Sequence, residues 1–131
     1  MGLAIALRYA AERTRFPDAH GRETRLLDYL THQRRLFPRL AAAYALSFAQ
    51  QALTRRFAEV EQGGDTRAIE TLAAGLKALS TWQAVDTLQQ CRECCGGQGY
   101  LSANRIDALR VDSDVFTTFE GDNTVLLSLV A

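Results

Sequence analysis

The chain has 131 residues, 47% of them hydrophobic, with only nine glycines and two prolines, which excludes disordered and collagen-like classes and fits one domain. Fifteen Lys plus Arg balance fifteen Asp plus Glu, so the basic excess of a general nucleic-acid or anionic-membrane binder is missing and neither partner is expected. No window reaches the ~18 continuous apolar residues of a membrane helix, and no charged n-region with a cleavage site opens the chain, so the expected location is cytoplasmic.

Apolar residues recur at helical spacing along nearly the whole chain, and no run alternates long enough to argue for a sheet. The expected fold is therefore all-α, an antiparallel up-and-down helical bundle. Residues 2–16 place Leu3, Leu7 and Ala10 on one stripe with Ile5 and Tyr9 beside it, and Phe16-Pro17-Asp18 ends that helix. After a polar loop at Ala19, His20 and Gly21, residues 23–62 read as one or two helices, with Ala42, Leu46, Ala49, Leu53, Phe57 and Val60 in steps of three and four. Pro38 lies inside this segment and predicts a kink or break near Leu36-Phe37. Gly63-Gly64-Asp65 reads as a short turn, so the next helix, residues 66–94, is expected to run antiparallel to its predecessor. Its stripe is Ile69, Leu72, Leu76, Leu79, Trp82, Val85 and Leu88. An irregular loop is expected at about 95–118, and long ordered loops are usually functional. The final segment, 121–131, opens with a capping cluster, Asp122-Asn123-Thr124. Both ends break off abruptly, which suggests a piece of a longer chain or ends covered by a partner, with open apolar stripes that favour self-association.

Several segments have the residue types that chemistry needs. Cys91, Cys94 and Cys95 crowd one stretch of helix, and the only histidines, His20 and His32, lie far upstream. No metal site is expected, and the cysteines read as small buried thiols of a reducing compartment. Glu120 is a lone carboxylate between Phe119 and Gly121; burial there would raise its pKa and poise it as a base, whereas a solvated turn would not. In C95-G96-G97-Q98-G99-Y100 the glycines let a backbone approach a ligand, although a helix stop would also use them. Arg13, Arg15 and Phe16 put guanidinium groups beside an aromatic ring, suited to a phosphate or to a solvated helix end. Of the fifteen basic side chains only Lys77 is a lysine.

In order and wording these segments resemble the C-terminal helical domain of the acyl-CoA oxidase and acyl-CoA dehydrogenase flavoenzymes, over nearly the whole chain. R8-Y9-A10-A11-E12-R13-T14-R15-F16 is similar to the family's arginine-aromatic flavin segment, and C91-R92-E93-C94-C95-G96-G97-Q98-G99-Y100 to its glycine-rich motif. T118-F119-E120-G121-D122-N123-T124-V125 resembles the catalytic loop, its F-E-G-D-N-T wording pointing to the oxidase branch.

The resemblance implies α,β-desaturation of acyl-CoA thioesters in fatty acid β-oxidation. Glu120 takes the place of the base that removes the α-proton while the β-hydrogen passes as hydride to the flavin, and the backbone amide of Glu120 helps to stabilise the enolate-like charge. Arg13 takes the place of the arginine on the FAD pyrophosphate, with Phe16 beside it. Gly96, Gly97 and Gly99 correspond to the loop approaching the FAD of a neighbouring subunit, and Phe119 and Gly121 to the border of the thioester end. The implied partners are acyl-CoA, FAD held only in the complete enzyme, a second subunit in a dimer or larger homo-oligomer, and N-terminal domains absent from residues 1–131. On this reading the 131 residues are a single C-terminal-type domain, inactive alone. The alternative is a non-catalytic helical interaction module that completes another chain's site.

Overall fold

A computed structural model describes residues 1–60 and 66–131. Helix α1 (Gly2–Glu12) leads into a hairpin of β1 (Thr14–Pro17) and β2 (Glu23–Arg25), and then a helical turn at Leu26–Asp28. Two long helices follow, α2 (Leu30–Val60) and α3 (Thr66–Cys94). After short helical turns at Gly96–Tyr100 and Ser102–Asn104 come α4 (Ile106–Asp114), a turn at Val115–Thr117, and α5 (Asn123–Ser128). The helical bundle expected from the sequence is the fold observed, with one small sheet added. The expected turn at Gly63-Gly64-Asp65 lies outside the described residues.

The first helix ends four residues earlier than its apolar stripe and Pro17 predict. Thr14 favours extended backbone, and β1 pairs antiparallel with β2 through Thr14 to Arg25, Arg15 to Thr24 and Pro17 to Glu23. Phe16 is the extra residue of a bulge, with φ of 52°, a conformation uncommon for a bulky side chain. Asp18 closes the hairpin by accepting from the backbone of His20 at 2.8 Å and of Arg22 at 2.9 Å. Tyr29 then pins it to the bundle, its hydroxyl donating to the Arg15 carbonyl at 2.8 Å.

The break expected at Pro38 is absent, because α2 runs through it as one helix. Pro38 removes the backbone donor that would meet the Arg34 carbonyl, and one residue on, the Arg39 guanidinium donates to the Arg35 carbonyl at 2.9 Å. Tertiary contacts hold the helix on both sides of the proline: Arg35 pairs with Glu93, Arg39 pairs with Asp86 at 2.8 Å, and Leu36 is completely buried. Because the start of α2 meets the end of α3, the two helices are antiparallel, as expected.

The core sits where α1, α2 and α4 converge on the last turns of α3, around Ala6, Ala10, Leu36, Cys91, Cys94, Cys95 and Ile106. These are mostly small side chains, since the helices approach closely. A Cβ on Gly2 would lie 2.5 Å from a methyl of Leu88. The expected irregular stretch at 95–118 contains α4, whose buried Ile106 and half-buried Leu109 share one face at helical spacing.

All three cysteines are free and buried, as expected. Burial chiefly, with the neighbouring thiols adding to it, pushes Cys91 up to about 12 and Cys95 up to about 11 from an ordinary 9.0. The fold therefore holds their protons more tightly than the unfolded chain does. That contribution is complete below pH 9 and is lost as the pH rises from there towards the folded values. Alkaline titration followed by circular dichroism should show stability falling above about pH 9, and a Cys91→Ala variant should lose part of this slope. Ile106→Ala should cost about 2–5 kcal/mol in chemical denaturation, since it empties the fully buried contact between α4 and the core.

Candidate functional site

The residues singled out in the sequence fall into two places along α3. At its C-terminal end, Arg13 and Arg15 from the hairpin, His32 and Arg35 from α2, and Gly96 and Gly97 after α3 line one cleft of about 520 Å³. Arg35 is occupied, donating to Glu93 at 2.5 Å and to Gln90 at 3.1 Å. A hydrogen bond from Gln89 foremost, helped by the Arg35 and Arg92 charges, holds the Glu93 carboxyl below its usual range against a smaller desolvation effect. Arg13 and Arg15 have no carboxylate partner among the described residues, so the cleft keeps an uncompensated positive charge. His32 also faces it, with a buried Nε2 that has no hydrogen-bond partner among the described residues; burial, then the Arg35 charge, lowers its pKa.

The three glycines of the motif do different work. Gly96 adopts φ of 56°, and at Gly96 and Gly97 nothing lies within 4 Å of where a Cβ would stand, so the backbone is open to a ligand. Gly99 is buried instead, and a Cβ there would lie 2.2 Å from the Arg92 carbonyl oxygen. Its glycine is required by packing against α3, apart from any ligand. An unpaired arginine pair beside exposed backbone is a donor set that suits a phosphate or pyrophosphate. Phe16 is 76% exposed on the hairpin bulge, next to Arg15 but outside the cleft lining.

Phe119, Glu120 and Gly121 form the second place, a turn between Val115–Thr117 and α5. The Phe119 amide donates to the Val115 carbonyl at 2.8 Å, and the Phe116 and Phe119 rings meet edge to face at 6.3 Å. Glu120 and Gly121 are both left-handed, with φ of 53° and 104°. For glutamate this conformation costs about 1–3 kcal/mol and persists only where neighbours over-determine it. They do so here from both sides. Asp122 caps α5, accepting from the amides of Thr124 at 2.9 Å and Val125 at 3.3 Å. Asn123 is 1% exposed and donates to Thr81 Oγ1 at 2.8 Å and to the Ala78 carbonyl at 3.3 Å. Lys77 donates to the Gly121 carbonyl at 2.5 Å and to Asn123 Oδ1 at 2.9 Å.

The Glu120 side chain is exposed, so of the two readings left open by the sequence, a buried carboxylate and a solvated turn, the described residues give the second. The two places do not meet. Lys77 and Glu93 mark them on α3, and at ~1.5 Å per residue they lie roughly 24 Å apart along the helix axis. Sequence reasoning missed Lys77, Thr81, His32 and Arg35; the one usable signal was that Lys77 is the sole lysine.

A family model described as "Acyl-CoA oxidase, C-alpha1 domain" matches residues 1–131. The Arabidopsis thaliana protein named acyl-coenzyme A oxidase 3, peroxisomal, is 47% identical over 133 residues, covering 100% of this chain and 19% of that protein. Human peroxisomal acyl-coenzyme A oxidase 3 is 41% identical over 138 residues, covering 97% of this chain and 20% of the relative. Among solved structures, Caenorhabditis elegans acyl-CoA oxidase-1, complexed with FAD and ATP, superposes with a TM-score of 0.93 at 34% identity, over 98% of this chain and 20% of that one. The chain thus spans about a fifth of the length of these relatives. Matched from residue 1 to residue 131 in sequence and nearly throughout in fold, the chain belongs to the acyl-CoA oxidase family, to the part described as the C-alpha1 domain.

Proposed function

We propose that these 131 residues serve as one helical domain of a longer FAD-dependent acyl-CoA oxidase, contributing the catalytic base and part of the flavin site to the α,β-desaturation of acyl-CoA thioesters in fatty acid β-oxidation. The observation that carries this reading is Glu120, a glutamate in a left-handed turn held before it by the Phe119 amide on the Val115 carbonyl and after it by Lys77 on the Gly121 carbonyl, in the F-E-G-D-N-T sequence.

In this reading the Glu120 carboxylate takes the α-proton of the thioester substrate, whose carbonyl makes that proton acidic. The Glu120 backbone amide donates to the thioester oxygen and stabilises the charge that develops there. Phe119 and Gly121 border the reacting end, the first offering an apolar ring and the second a backbone without a side chain. FAD, when bound, supplies the two-electron acceptor for the β-hydrogen. The cleft at the end of α3 fits its pyrophosphate: Arg13 and Arg15 offer unpaired charge, and Gly96 and Gly97 offer open backbone. Phe16 flanks that arginine pair, whereas Gly99 supports the loop by packing. The roughly 24 Å between cleft and Glu120 favours a site assembled across subunits, in a dimer or larger homo-oligomer, with other parts of the enzyme covering Glu120 and the substrate.

The relatives named peroxisomal set that compartment beside the cytoplasm expected from the sequence, and imaging of the tagged full-length protein separates the two. In the complete flavoenzyme, Glu120→Gln should slow bleaching of the visible flavin absorbance by acyl-CoA about a hundredfold or more. Bleaching at the parent rate would remove the base assignment and leave the chain as a non-catalytic module completing another chain's site. Arg13→Met should raise the dissociation constant for FAD about tenfold to a hundredfold, through loss of charge-assisted hydrogen bonds, as read by flavin release in ultrafiltration.

A further inference from the structure

The sole lysine of the chain is spent on the turn that carries Glu120. Lys77 is half-buried on α3, and its ammonium donates to the Gly121 carbonyl at 2.5 Å and the Asn123 side-chain oxygen at 2.9 Å. Gly121 is the residue immediately after Glu120. Both are left-handed, so the direction in which the carboxylate leaves the turn depends on how the Gly121 peptide is held. Asn123 lies two residues further on, buried, and gripped a second time by Thr81 and the Ala78 carbonyl on the same face of α3. One turn of α3 thus holds the chain on the C-terminal side of Glu120, and among the described residues Lys77 is the side chain that donates to both anchor points.

A helix cap alone has no need of this arrangement, because Asp122 already satisfies the first amides of α5. Nor does Lys77 serve as an ion-pair partner: no carboxylate pairs with it among the described residues. Both of its contacts go to neutral oxygens of the turn. A long stem with a multi-donor head is the side chain that can reach a backbone carbonyl and an amide oxygen together.

We propose that Lys77 is a positioning residue for Glu120, fixing from α3 the Gly121 carbonyl and the Asn123 side chain and so the left-handed turn that presents the carboxylate. The proposal rests on the reading of Glu120 as the base. Its test uses Lys77→Met, Lys77→Gln and Glu120→Gln in the complete flavoenzyme, with the rate of flavin bleaching by acyl-CoA measured per bound flavin. Lys77→Met should lower that rate constant about tenfold to a hundredfold with KM little changed, the size expected when a reacting group is displaced by about an ångström. Lys77→Gln, which keeps an N–H donor group on a shorter, uncharged stem, should fall between. Normalising to flavin removes any effect of losing folded enzyme, so a merely structural lysine would leave the rate constant at the parent value. A parent-like rate in Lys77→Met beside an inactive Glu120→Gln would overturn the positioning role alone, whereas a parent-like Glu120→Gln would overturn the base reading itself. Loss of flavin from both lysine variants would mark Lys77 as a folding residue and also overturn the proposal.

Discussion

How closely α1 and the glycine turn approach the last turns of α3 governs the rest of the structure. Gly2 rests against Leu88, Ala6 and Ala10 are fully buried beside Cys91, and Gly99 touches the Arg92 carbonyl. At Gly99 the neighbour is backbone, so any side chain forces the backbone to shift, whereas a Cβ at Gly2 would have to displace the Leu88 methyl. This seating brings the chain leaving α1, with Arg13 and Arg15, to the chain leaving α3, with Gly96 and Gly97. The cysteines belong to the same constraint. They are small, soft side chains at a crowded junction, and their raised pKa values leave them protonated and inert near neutral pH.

A net charge of zero conceals a strongly uneven distribution. Most acidic groups at the end of α3 are matched, Glu93 with Arg35 and Asp86 with Arg39, while Arg13 and Arg15 face the cleft without partners. Arginine suits such a place because its planar fork meets phosphate oxygens two at a time. The same helix thus carries a positive cleft at one end and a hydrogen-bonded acidic turn further back.

Much of this was legible in the sequence, and what was not has physical reasons. The long helices were visible because their apolar stripes repeat over many turns, and Asp122 as a cap because side-chain oxygens before a helix do that work locally. The hairpin was hidden because β1 is four residues long and β2 three, too short for alternation to stand out beside α1. Pro38 misled because the contacts of Leu36, Arg35 and Arg39 outweigh one lost backbone bond, which no local pattern reveals. Glu120, Arg13 and the glycines were singled out through motif wording. That wording could not separate Gly99, needed for packing, from Gly96 and Gly97, which face the cleft. Lys77 and Thr81 act on residues more than forty positions away, and only the folded chain brings them together.

That reach has a consequence for the order in which the molecule assembles. The Glu120 turn has local support from the Phe119 amide and the Asp122 cap, but its C-terminal side is also held by α3 residues 42 to 46 positions back in the chain. Contacts of such span form after helices that need only their neighbours, because the chain between must first give up its freedom. The turn therefore depends on α3 being built and on α5 lying against it. Because Asn123 both opens α5 and is held by Thr81 and the Ala78 carbonyl, hydrogen exchange in the turn is expected to report the docking of the last helix.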